Sequence, residues 1–95
     1  MEKPQQISIK VDEATAKGLY ANNMIVGHSK EEFVLDFMNV FPPEGRLVAR
    51  IFTSPAHAKR ILGALSENIK KYESQFGEIK ESGPPEEDLG FRLGK

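Results

Sequence analysis

Nine residues, Phe33-Val34-Leu35-Asp36-Phe37-Met38-Asn39-Val40-Phe41, constrain this chain more than any other stretch. Read with the two-residue period of a strand, Phe33, Leu35, Phe37 and Phe41 share one face; Val34, Met38 and Val40 share the other, where Asp36 is the only charge. An antiparallel sheet commonly turns one polar face to water, but here both faces need cover. Pro42-Pro43-Glu44-Gly45 stops the strand and turns it, because proline cannot donate to a ladder and glycine tolerates a tight return. Arg46 to Thr53 then resumes as a strand, with Leu47, Ala49 and Ile51 on one side and Val48 and Phe52 beside Arg50 on the other. The two-sided pattern repeats. Asp36 and Arg50 lie at similar depth from the turn, which allows a cross-strand ion pair with a structural role.

Two further strands are predicted upstream. Ile7, Ile9 and Val11 alternate with Ser8, Lys10 and Asp12, and Leu19 to Val26 is again rich in β-branched and aromatic residues. Between them, Asp12 to Gly18 reads as a turn or bulged link ending in glycine. Asn22-Asn23 is odd inside a strand, since asparagine is depleted there, and a bulge or an edge position would account for it. Gly27 to Glu31 reads as a hairpin connection into Glu32-Phe33.

Downstream, Ser54-Pro55 is a helix start: the serine hydroxyl can accept from an orphan amide, and proline at the first position gives up a donor that had no partner. Ala58, Ile61, Leu62, Leu65, Ile69, Tyr72 and Phe76 follow as an amphipathic stripe, and Gly77 closes the helix. The predicted architecture is α+β: a four-stranded antiparallel meander followed by one long C-terminal helix packed on one sheet face. Residues 1–77 form the single domain. Residues 78–95 form a flexible acidic tail with three glycines, a Pro-Pro pair and five carboxylates against three basic residues, and it is expected to be disordered. Its Leu89, Phe91 and Leu93 alternate weakly, like a short strand.

Composition then limits the functions. A chain of 95 residues has room for one core and little spare stability. Zero cysteines exclude a disulfide scaffold, a thiolate zinc site and thiol chemistry. Thirteen basic against fourteen acidic residues provide no global field for nucleic acid or an acidic membrane surface. No apolar run approaches the roughly 20 residues of a membrane span, and Met1 to Gln6 lacks the apolar region of a signal peptide, so a cytoplasmic location is expected. His28 and His57 fall in a loop and at a helix start with no metal-ligand spacing between them. Phosphate-cradling glycine motifs and a GxSxG nucleophile are both missing. The expectation is therefore a non-enzymatic protein with no catalytic residues, cofactor or metal.

One helix can cover one face of the sheet and leaves the other open, and large exposed apolar patches generally mark interaction surfaces. The expected resolution is a homo-oligomer, a dimer or a dimer of dimers, with Val34, Met38, Val40, Val48 and Phe52 as the oligomer or partner surface. The leading functional expectation is an oligomeric interaction or scaffold protein, with chaperone-like holding of apolar polypeptide segments on that face and so a protein or peptide partner. The alternative is a nucleic-acid-associated accessory protein using the basic helix flank at Lys59, Arg60, Lys70 and Lys71. The charge balance disfavours it, and Glu67 can pair with Lys71 instead.

Several segments resemble a family of small bacterial and archaeal proteins known as domain of unknown function 3467. The resemblance rests on Tyr20-Ala21-Asn22, Glu32-Phe33-Val34-Leu35-Asp36-Phe37, Phe41-Pro42, Thr53 through Arg60, Asn68 through Glu73, and Phe76-Gly77-Glu78-Ile79. It spans about residues 7 to 79 and implies no catalytic residues. At the level of fold, four strands followed by a long helix also resemble the export chaperone SecB, an antiparallel sheet with helices that assembles as a tetramer. This chain has no evident second helix.

Overall fold

The computed structural model describes residues 4–81. It is an α+β chain with a short helix α1 (Glu13–Lys17), three strands β1 (Asn23–His28), β2 (Phe33–Phe41) and β3 (Glu44–Thr53), and a long helix α2 (Pro55–Phe76). The strands form one antiparallel meander in the order β1-β2-β3.

The expected fourth strand is not formed. Residues 4–11 run as irregular chain, with Ile7, Ile9 and Val11 well exposed. Alternation describes which side chains a strand would present, but a strand also needs a neighbouring ladder, and none lies beside this segment. Asp12 to Gly18 is a one-turn helix instead of a simple turn. Asp12 caps it by accepting from the Thr15 amide at 2.8 Å, and Gly18 ends it at φ 79° and ψ 175°, a region open essentially to glycine alone.

Strand β1 begins four residues later than the composition predicts, and Asn22 is the reason. Its backbone amide donates to the Met38 carbonyl at 3.0 Å. Its side-chain Nδ2 donates to the Val40 carbonyl at 3.0 Å while its Oδ1 accepts from the Val40 amide at 2.8 Å. The carboxamide thus stands in for the next strand residue and satisfies both backbone groups of Val40. Leu19 and Tyr20, freed from the ladder, are exposed.

The β1–β2 connection is held by Ser29, whose amide donates to the Glu32 carbonyl at 2.8 Å and whose hydroxyl accepts from the Glu31 and Glu32 amides. The β2–β3 connection is the two residues Pro42-Pro43, joined by a cis bond. Gly45 is already in β3, opposite Val40, where a Cβ would come within 3.3 Å of a Val40 methyl. Glycine is needed there for close approach and not for a positive φ.

The bounds of α2 match the sequence pattern. Ser54 caps it by accepting from the His57 amide at 3.1 Å, Pro55 follows, and Gly77 ends it at φ 97° with its amide donating to the Glu73 carbonyl. Its placement does not match. The helix was expected on a face of the sheet, but Leu62 (70% exposed), Leu65, Ile69, Tyr72 and Phe76 all face solvent. Only Ala58, Ile61 and Glu73 of α2 are half-buried. The physical reason is the link: Ser54 alone separates β3 from α2, its backbone is extended at ψ 157°, and connections of this kind commonly use two to six residues to turn a helix back. Among the described residues, Leu35 on the central strand is the one buried hydrophobic side chain. The tail expected over 78–95 lies outside the described residues from position 82 onward.

Candidate interaction surface

Register assigns the two sheet faces. On the first, Met24, Val26 and His28 of β1 stand beside Phe37, Leu35 and Phe33 of β2, and these beside Ala49, Ile51 and Thr53 of β3. His28 and Phe33 stack across the strands with ring centroids 5.4 Å apart. None of these nine residues carries an acidic or a Lys/Arg side chain; Arg46 and Glu44 join the face only toward the Pro42-Pro43 hairpin. Further along β2, Asn39 also belongs to it, opposite Arg46, and its Oδ1 is shielded from water without a hydrogen-bond partner.

The second face carries the residues that sequence reasoning singled out. Val34, Met38 and Val40 share it along β2, and Phe52 sits opposite Val34. Val48 has no direct partner. The register steps from Phe37↔Ala49 to Met38↔Leu47, so Val48 is the extra residue of a β-bulge, and Leu47 is brought opposite Met38. Ile25, opposite Asp36 on β1, completes the patch. Strict alternation along β3 assigns Leu47 to the wrong face because a one-residue bulge inverts every assignment beyond it. The sequence signal for Ile25 was present in β1 but tied to no partner.

Asp36 and Arg50 are direct partners at the centre of this face, as the spacing suggested. The pair is bidentate: Nε donates to Oδ1 at 2.8 Å and Nη2 to Oδ2 at 2.9 Å. The Asp36 side chain is 17% exposed and that of Arg50 49%. The hydrogen bond from Arg50 holds the Asp36 carboxyl below the usual carboxylate range, against a smaller opposing effect of desolvation, and the carboxylate in turn raises the guanidinium. An ion pair with both carboxylate oxygens engaged by one partner is a fixed landmark on an otherwise apolar surface.

The four cations of the helix flank are exposed, in two pairs separated by about 16 Å along α2. Lys71 lies 3.7 Å from Glu67, and both side chains are exposed. Near the end of β2 and β3 a shallow open depression is lined by His28, Ser29, Glu32, Phe33, Val34 and Phe52. Among the described residues, no group of three or more metal-ligating side chains converges, and no helix is long and apolar enough to cross a membrane.

A family model described as "Protein of unknown function (DUF3467)" matches residues 1–81, which include every element described above. The chain belongs to this family. The match covers the span of about residues 7 to 79 over which the sequence resembles the family and extends a few residues beyond it at each end. Comparison with curated proteins and with solved structures gave no match. These comparisons bring no activity to the DUF3467 chain, and the likeness to SecB in order of elements carries no argument about assembly.

Proposed function

We propose that this protein is a non-enzymatic interaction module that works as a homo-oligomer, holding apolar polypeptide segments on the sheet face formed by Val34, Met38, Val40, Leu47 and Phe52. The observation that carries the reading is the near absence of a core in the single chain. One hydrophobic residue is buried, while eighteen large hydrophobics among the described residues are exposed, Phe52 at 60% and Phe41 at 66% among them. Three strands with so little cover do not stand alone in water. Association is the remaining source of burial, and the apolar faces are what associate.

The second face suits reversible holding of peptide. It offers aliphatic and aromatic side chains around the Asp36–Arg50 pair, whose exposed guanidinium can orient a polar backbone without closing the surface. Dye or peptide binding by the folded oligomer is the test, with Met38→Lys as the control: binding should fall at least tenfold while the circular dichroism spectrum is kept. Undiminished binding by that variant would remove this face from the proposal. Nucleic-acid association through Lys59, Arg60, Lys70 and Lys71 has less support, because Glu67 partly neutralises one end of the flank and the chain as a whole is nearly neutral. A salt-dependent affinity for DNA or RNA would revive it.

A further inference from the structure

We propose that the occupant of the first sheet face, that of Leu35 and Phe37, is helix α2 of a second copy, each chain of a two-fold dimer covering the other's sheet with its own helix. The proposal rests on the oligomeric reading above and names the surfaces that associate. Five observations converge on it.

Each chain carries both halves of the contact and joins neither to the other. Ala58, Ile61, Leu65, Ile69, Tyr72 and Phe76 fall within an arc of about 100° on α2, the width of a core-facing stripe. The sheet face of Met24, Val26, Leu35, Phe37, Ala49 and Ile51 is apolar across all three strands. A foreign partner would have to supply two complements, whereas a second copy already has them.

The chain's own helix is kept from its own sheet by the single linking residue Ser54. The lengths match. Twenty-two helical residues span about 33 Å. The nine and ten residues of β2 and β3 span about 30–34 Å.

The choice of face follows from charge. Covering the other face with an apolar helix would take the bidentate Asp36–Arg50 pair out of water, at a desolvation cost its mutual attraction need not recover. The first face carries its charges, Arg46 and Glu44, at the exposed hairpin end and none at its centre, so covering that centre carries no such cost.

Area supplies the last argument. The chain exposes 9289 Å², against about 5,500 Å² for a compact chain of its 10.6 kDa. If residues 1–3 and 82–95 are assigned the unfolded-chain value of about 160 Å² each, the described residues expose about 6,600 Å², against about 4,700 Å² for a compact chain of their length. A stable interface needs about 800 Å² from each partner. Reciprocal exchange is isologous and closes at two copies, leaving the Val34–Met38–Phe52 face free for the holding function.

Isotope-filtered NOE spectroscopy on a mixture of carbon-13-labelled and unlabelled chains tests this without assuming a packing register. The expected result is intermolecular contacts from the methyls of Ile61, Leu65 and Ile69 to those of Val26, Leu35 and Ile51. A self-associated protein in which those contacts are purely intramolecular overturns the exchange and leaves the oligomeric reading standing, as does one whose intermolecular contacts link only Val34, Met38 and Phe52. A monomer at micromolar concentration in sedimentation equilibrium overturns both. Because the chain has no cysteine, Val26→Cys with Leu65→Cys in one chain gives a second readout: oxidation should yield covalent dimers, and covalently closed monomers would contradict the exchange.

Discussion

Asp36 sits where a β-branched or aromatic residue would otherwise stand, and its chemistry is set by one neighbour. Because Arg50 lowers its ionisation in the folded state, Asp36 contributes stability that is fully present above the unfolded carboxylate value and is lost as pH falls through the lower folded value. Asp36→Asn should therefore be less stable than the parent at neutral pH, and the gap should close on acidification below about pH 4. Denaturant midpoints measured for both proteins across that range check it, and a gap independent of pH would refute it. Asn22 acts through its carboxamide. Asn22→Ala leaves the amide and carbonyl of Val40 unpaired at the end of the ladder and should cost about 0.5–1.5 kcal/mol in equilibrium unfolding. The ion pair was legible from the sequence because both residues are counted from one turn. The role of Asn22 was not, because its partner lies 18 residues away and is recognised by backbone groups that every residue shares.

At the level of elements, the long helix has sound ends and an unsupported middle. Ser54→Ala should lower stability by about 1 kcal/mol through loss of the cap, and Gly77→Ala by about 1–3 kcal/mol because alanine resists a φ of 97°. Both are read from thermal or denaturant unfolding. In proteins most helical stability comes from packing of the amphipathic face and not from intrinsic propensity, so a peptide of residues 54–77 should show much less helicity by circular dichroism than the same segment of the intact protein. A strongly helical peptide would mean that α2 needs no tertiary cover. The helix bounds, β2 and most of β3 were legible because caps, prolines and strict periods act locally. The strand at Ile7–Val11 and the start of β1 were misread because alternation specifies a face but not a ladder partner. The bulge at Val48 has no local signature at all.

For the whole molecule, the exchanged dimer ties folding to concentration. The thermal midpoint should rise with protein concentration, and helicity should fall on dilution in step with dissociation. A midpoint unchanged over a hundredfold dilution would point to a self-sufficient monomer. The sequence by itself determined that this is an α+β chain with a two-sided apolar sheet, a capped amphipathic helix of about six turns and too few residues for a large core. Those properties follow from side-chain chemistry and spacing along the chain. The tertiary structure alone decided that the helix stands clear of its own sheet, that a bulge at Val48 brings Leu47 onto the second face, and that a side-chain amide takes over the ladder where the first strand begins. Each of these depends on the direction in which the chain leaves one element and meets another. Direction is set by a few backbone dihedrals at Ser54, at the bulge and before Asn23, where hydrophobic periodicity is silent.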